Sequence, residues 1–335
     1  MKTFRMFTLI ALVALVLAAC APAATTAPTS APAATTAPTQ APAATNTVPP
    51  QPTAVPTATM VPPTPTPAQP TPVAVIAADK LSQQGHLLIC TDFPYPPQEF
   101  FDENGNPQGL DIDIGTEIAN RLGLKVQFVN SVFDSIIAAV TSGKCDIVIS
   151  AQNITADRQI KVSMIPYFKA GQSFVVVKGN PKAIKQSLDL CGQSVAAESG
   201  TTEADYLQGE GDYKGKGLGV ECTKASKALP KVIVTQKDTD ALQQLQAGKV
   251  VAYATDSPVA AYYTVQHPDQ FELAGSIIEA ALEGISVPCG QADCTKAPLS
   301  DVGKAVDAAL KSMMADGAYV KILQKWNLTN SAVTP

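Results

Sequence analysis

The chain has 335 residues, 46% hydrophobic and 16% charged, with a formal net charge of −5. So mild an acidic balance, with no run of Lys or Arg, leaves no footprint for a nucleic-acid backbone. The charge is also unevenly spread, since nothing charged lies between Arg5 and Asp79.

The first twenty residues, MKTFRMFTLIALVALVLAAC, place Lys2 and Arg5 before an apolar run that ends in Leu17-Ala18-Ala19-Cys20. A basic start, a short apolar core and small residues before a cut site describe a secretory signal peptide over residues 1–19. The apolar run, about 14 residues, is short for a membrane span, which needs about 20. Leu-Ala-Ala-Cys resembles the bacterial lipobox. That resemblance implies cleavage before Cys20, a lipid on its sulfur, and a chain held on the extracytoplasmic face of the membrane. The bland alternative is an ordinary signal peptide cut before a cysteine. No later run is apolar for long enough to cross a bilayer, so membrane contact is expected through Cys20 only.

Residues 20–78 read as the lipidated cysteine plus a disordered tether. APAATTAPTS, APAATTAPTQ and APAATNTVPP repeat at ten-residue spacing, and residues 21–77 hold 15 of the 27 prolines. Proline, alanine and threonine in this mixture build no packed core, and Pro-rich segments favour extended polyproline II. At about 3.1 Å per residue the segment spans on the order of 170 Å when extended. Such a length suits a spacer between a membrane and a folded domain.

From residue 79 the pattern alternates between apolar runs and amphipathic stretches. HLLIC (86–90) predicts a strand. DIDIGTEIANRLG (111–123) predicts a helix with Ile114, Ile118 and Leu122 on one face and Gly123 as its C-terminal cap. KVQFV (125–129) is a strand, DSIIAAVTSG (134–143) a short helix capped by Asp134, and CDIVIS (145–150) a third strand. Thr155 reads as an N-cap with Asp157 and Arg158 in the first turn. A second series runs strand, helix, strand, helix, strand, helix through SVAA (194–197), TEADYLQ (202–208), KVIVT (231–235), DALQQLQAG (240–248), VVAYA (250–254) and SPVAAYYTVQ (257–266). Residues 300–326 supply two terminal helices. This alternation implies parallel sheets.

Six cysteines remain after Cys20, and an exported chain can oxidise them. Cys289 and Cys294 are paired by proximity. Cys191 and Cys222 bracket one helical unit and its glycine-rich loop. Cys90 and Cys145 are left for each other. Only His86 and His267 are available to assist a zinc site and there is no Cys-x-x-Cys, so no metal is expected.

In open α/β sheets, ligands bind beyond the carboxyl ends of the strands. Four such tips are polar here: Thr91 to Tyr95, Ser150 to Arg158, Glu198 to Thr202, and Thr255 to Pro258. Three run into helix starts, where free N–H groups and the dipole favour an anion. An arginine in a first helical turn is unfavourable for the helix. Its place makes sense if the guanidinium forks onto a carboxylate; a surface ion pair, with Asp157 or another acid, is the other reading.

The ordered set TDFPYPPQEF, NPQGLDIDIGTEIANRLG, ISAQNITADR, ESGTT and TDSPVAAYY, followed by LKSMMADGAYVKILQKWNL, resembles the family 3 extracellular solute-binding proteins, the polar amino-acid-binding proteins of ABC importers. The likeness covers about residues 80–328. It implies a type II periplasmic-binding-protein-like α/β fold of two lobes, each a mostly parallel sheet flanked by helices. Lobe I would be 79–172 with 285–329, lobe II 173–284, and 330–335 a tail. Two hinge crossings would lie near Gln172–Phe174 and Glu283–Ile285.

Carried over by motif, Arg158 would hold the α-carboxylate of an amino acid, helped by Asn153 and the backbone N–H of Thr202. Asp256 would take the α-ammonium. Ser150 and the Ala151 backbone would complete the cradle, and Tyr95 and Phe133 would stack on the ligand side chain. Glu198 would face the ligand, with Thr201 and Asp92 beside the pocket. Bland readings stand next to these: a helix cap for Asp256, Thr201 and Thr202, packing for Phe133, a structural acid for Asp92. Tyr95, in a Pro-rich loop, is expected to be exposed. Gln98, Gln152 and Asn153 depart from the family pattern.

The resemblance implies a monomeric, cofactor-free receptor that closes on a free amino acid and presents it to an ABC permease. Acids at 92, 198 and 256 against one arginine favour a basic or amide-bearing ligand. A periplasmic dehydratase-like enzyme, and a sensor for a separate membrane signalling partner, are the alternatives.

Overall fold

The computed structural model describes residues 72–334. The signal peptide, Cys20 and most of the expected tether lie outside the described residues. In chain order the elements are β1 (His86–Thr91), β2 (Phe100–Phe101), β3 (Pro107–Gln108), α1 (Leu110–Arg121), β4 (Lys125–Asn130), α2 (Ile136–Thr141), β5 (Ile147–Val148), α3 (Ala156–Lys161) and β6 (Ser163–Val177). There follow β7 (Ser194–Glu198), α4 (Thr202–Gln208), α5 (Leu218–Lys224), β8 (Lys231–Thr235), α6 (Asp238–Gln246), β9 (Ala252–Asp256), α7 (Ser257–Gln266), β10 (Phe271–Val287), α8 (Asp301–Ala315) and α9 (Ala318–Lys325).

Helix α1 forms because Leu110, Ile114 and Ile118 recur every four residues and are fully buried on one face. They join Leu87, Ile89 and Ile147 of the sheet and Val306, Leu310 and Leu323 of the terminal helices in one core. Gly109, just before α1, has φ +134°, and a Cβ there would lie 2.1 Å from the carbonyl oxygen of Gln98. Glycine alone fits that approach. Gly123 stands one residue past the C-cap with φ +67°, the left-handed stop its sequence position suggests. A second core gathers Phe174, Val195, Tyr206, Leu218 and Ala252 between β7, β9, α4 and α5.

The larger sheet has the order β4-β1-β5-β10-β6-β9-β7-β8. β1 is parallel to β4 and β5, and β7 is parallel to β8 and β9. The two parallel sets are joined by the long antiparallel pair β6 and β10, which runs through both lobes. Its register shifts between Ala274 and Ile278, between Ile278 and Ala281, and between Glu283 and Gly284. Neither the length of these strands nor their pairing was visible in the alternation, because a strand that serves two cores shows no single hydrophobic period.

Two local expectations are corrected. The third strand is laddered only over Ile147–Val148. Asp146 bonds the Leu88 carbonyl through its own N–H at 2.8 Å and turns its carboxylate onto the N–H groups of Leu88 and Ser82, at 2.8 and 2.6 Å. Asp134 caps no helix: Ser135 is the N-cap of α2, without a side-chain bond, and Asp134 instead accepts a hydrogen bond from Ser199 in the other lobe. Three disulfides join Cys90 to Cys145, Cys191 to Cys222, and Cys289 to Cys294. Among the described residues, no helix is long and apolar enough to cross a membrane.

Candidate functional site

The carboxyl ends of β1, β5, β7 and β9 meet around one small cavity. Asp92, Tyr95, Phe133, Ser150, Ala151, Asn153 and Arg158 line it from the β1 and β5 side of the sheet, and Glu198, Thr201, Thr202 and Asp256 from the β7 and β9 side. All the residues singled out in the sequence as facing a ligand therefore border one space. Two more carboxylates, Glu99 and Glu203, border it as well.

Arg158 sits in the first turn of α3, where the Thr155 hydroxyl accepts its N–H as an N-cap. Its guanidinium donates to the carbonyl of Asn153 and, across the cleft, to that of Gly200, both at 2.8 Å. It lies 5.3 Å from the centroid of the Phe133 ring. Among the described residues no carboxylate reaches it at ion-pair distance, which removes the surface ion pair as its explanation. Burial lowers its pKa. Gly200 (φ +77°) must be glycine, because a Cβ would press on the backbone of Asp134 at 2.8 Å.

Thr201 caps α4 by accepting the Ala204 N–H at 3.2 Å. As first residue of α4, Thr202 has an N–H with no intrahelical acceptor. Its hydroxyl donates to Asn153 Oδ1 at 2.6 Å, a second tie between the lobes.

Asp256 ends β9, and its carboxylate makes no cap bond to α7. One oxygen accepts from the Tyr95 hydroxyl at 2.8 Å; the other, Oδ1, is buried without a partner. Tyr95 is not exposed. Its ring is buried, and its oxygen also accepts from Thr255 Oγ1 and the Asp256 N–H, both at 3.1 Å. A phenol held by three bonds is a positioning group for Asp256 as well as a wall.

Ser150 and Ala151 are committed inside the protein. The Ser150 hydroxyl donates to Glu99 Oε1 at 2.6 Å and accepts the Asp92 N–H at 2.9 Å. Ala151 adopts φ +44° and donates its N–H to Asp111 Oδ2 at 2.8 Å. The Ser150 hydroxyl and the Ala151 N–H thus support Glu99 and Asp111. Asp92 accepts the Phe133 N–H at 2.7 Å and contacts the ammonium of Lys237. Gln98 and Gln152 stand behind the lining, bonded to Glu283 at 3.2 Å and to Ser286 at 2.7 Å of β10.

The electrostatics are lopsided. Glu99 Oε2, Glu198 Oε1, Glu203 Oε1 and Asp256 Oδ1 are all buried without a hydrogen-bond partner. Burial, then the neighbours Asp238 and Glu203, push the Glu198 carboxyl up to about 9. Burial first, then Glu203, raises Asp256; burial first, then Asp111, raises Glu99; burial raises Glu203. A buried, unpartnered carboxylate is costly, so four around one cavity, facing a single arginine, make a site short of positive charge.

Sequence reasoning missed Glu99 and Glu203. Glu203 reads as an ordinary acid in a first helical turn, where the dipole favours it. Glu99 lies in a loop whose path no periodicity specifies.

A model of the bacterial extracellular solute-binding proteins, family 3, matches residues 87–329. The L-cystine-binding protein TcyJ of Escherichia coli (strain K12) is 25% identical over 249 residues, which is 74% of this chain and 85% of that protein. The structure of an ancestral arginine-binding protein bound to arginine is similar with a TM-score of 0.63 and 36% identity, over 72% of this chain and 98% of that one. An ancestral amino-acid-binding protein, a precursor of cyclohexadienyl dehydratase, matches with a TM-score of 0.59 and 32% identity, over 72% and 95% of the two chains.

Proposed function

The chain belongs to the bacterial extracellular solute-binding proteins of family 3, and from that premise we propose that its cleft captures one free amino acid with a basic side chain. The observation that carries this reading is the pairing of an arginine free of carboxylate partners with unpartnered carboxylates around one closed cavity. A zwitterion needs a fork donor at one end and acceptors at the other. Arg158, with the Thr202 N–H, receives the α-carboxylate. Asp256, oriented by Tyr95, receives the α-ammonium, and Glu203 beside it shares that charge. Glu198 remains for a cationic side chain. Phe133 stacks on the guanidinium of Arg158 and forms a wall of the site.

Closure follows from contacts made in both lobes at once, because a ligand shifts an equilibrium only by its differential affinity for the two states. Residues 79–172 with 285–329 act as one lobe and 173–284 as the other. No bond is made or broken. The lipid on Cys20 and the tether hold this receptor at the outer face of the membrane, where the closed form meets an ABC permease. Support for a basic ligand comes from the carboxylate excess and from the arginine bound by the ancestral relative.

Thermal unfolding of the purified chain with each of the twenty amino acids tests the reading. Ligand at 100 times Kd adds about 2.7 kcal/mol of stability. Arginine or lysine should raise Tm and the acidic amino acids should not. If no amino acid shifts Tm, capture of an amino acid by this cleft is wrong.

A further inference from the structure

Asp92 borders the cavity, yet both its oxygens are occupied. Oδ2 accepts the Phe133 N–H at 2.7 Å, and Oδ1 contacts the ammonium of Lys237. The two residues come from opposite lobes: Asp92 follows β1, and Lys237 is the N-cap of α6. Asp92 is buried, whereas the Lys237 side chain retains a quarter of its exposure and reaches in from the rim. The Lys237 carbonyl accepts from Thr235 Oγ1 at 2.9 Å, which fixes the base of the side chain. Glu198, on the same lobe as Lys237, borders the same cavity with an oxygen that nothing partners.

We propose that Lys237 is a specificity-determining residue of the cleft: its ammonium neutralises Asp92 across the lobes, so that Glu198, and not Asp92, reads the far end of the ligand side chain. This rests on the amino-acid reading above and adds to it a residue outside the lining. Removing the ammonium leaves Asp92 as a second free carboxylate at the cavity wall. Removing the carboxylate leaves an unpaired ammonium there. The two changes therefore move the preference for a cationic over a neutral ligand in opposite directions, whereas a pair that merely latches the lobes weakens every ligand alike.

The test is isothermal titration of the full chain with arginine and with glutamine, the latter as the neutral probe, at fixed ionic strength. The readout is the ratio of the glutamine Kd to the arginine Kd. Partial unfolding scales both apparent Kd values by the same factor, so the ratio is independent of the folded fraction. Lys237→Met should raise the ratio about tenfold or more, and Asp92→Asn should lower it about tenfold, as hydrogen bonds to charged groups of this kind warrant. Lys237→Arg, which keeps the cation on Asp92, should stay within about threefold of the wild type. An unchanged ratio in both Lys237→Met and Asp92→Asn overturns the proposal and leaves the amino-acid reading standing. Absence of binding by either amino acid to the wild type overturns both.

Discussion

The hydroxyl of Tyr95 donates a 2.8 Å hydrogen bond to Asp256, 161 residues further along the chain and in the opposite lobe. That one bond closes the cleft beside the carboxylate assigned to the ligand's ammonium. The second oxygen of Asp256 stays buried with nothing to accept. The aromatic wall and the anionic acceptor are thus one unit.

Tyr95→Phe removes a donor and leaves the Asp256 carboxylate and N–H short of a partner. The expected loss is about 1–3 kcal/mol of unfolding free energy, from the cost of stranded buried polar groups. Denaturant titration with an unchanged slope checks it. An unshifted midpoint means that the bond is absent in solution.

Arg158→Ala should abolish the ligand-induced rise in Tm, and Arg158→Lys should not restore it, since a point charge cannot reproduce the fork. The ligand-free Tm should also fall, because two backbone carbonyls lose a charged donor. A variant that still gains stability from an amino acid removes Arg158 from the carboxylate site.

Stability should depend on pH through the cavity carboxyls. Glu198 has an ordinary value of 4.5 and is held at about 9 in the folded protein. The native state therefore binds its proton more tightly than the unfolded chain does. Its contribution is full below the lower value and is lost as pH rises towards the upper one. The ligand-free Tm should fall across that window, Glu198→Gln should flatten the fall, and a cationic ligand should add more to Tm at about pH 8.5 than at about pH 5. Calorimetric melts across that range decide; equal gains at both ends contradict the charge assignment.

The disulfides should rank by the loops they close. Cys90–Cys145 spans 55 residues and Cys289–Cys294 only 5. In the chain-entropy description the first contributes about 4 kcal/mol and the second about 2. Paired Cys→Ala variants, compared by chemical denaturation, test that order.

Ile114→Ala should cost about 2–5 kcal/mol through the cavity it leaves, since Ile114 is fully buried in the core that also holds Leu87, Ile89 and Val306. An unaltered denaturation midpoint rules out this packing.

The legible parts of the molecule are those with a local cause. α4, β8 and α7 run over the residues that their periodicity and caps indicate. Thr155 and Thr201 cap their helices as short polar residues before a first turn do. Other parts depend on partners remote in sequence. Nothing near Tyr95 announces that Asp256 will bury its hydroxyl, so a Pro-rich loop reads as exposed. Nothing near Ala151 shows that Asp111 takes its N–H. Lys237 looks like a solvated lysine before a helix until Asp92 comes to meet it from the other lobe. The strand tips thus mark where the cavity lies, but which of their groups remain free is a property of the closed arrangement.

β6 and β10 are hydrogen-bonded side by side along most of their length. Sliding one lobe past the other would break that ladder bond by bond, whereas bending it where the register is already interrupted sacrifices few bonds. The opening proposed for this receptor would then be a swing about a single line. Amides flanking Ala274, Ile278 and Ala281 should exchange with deuterium ahead of those at Phe168 or Val175, and a ligand seated at the far side of that line should slow them without touching them.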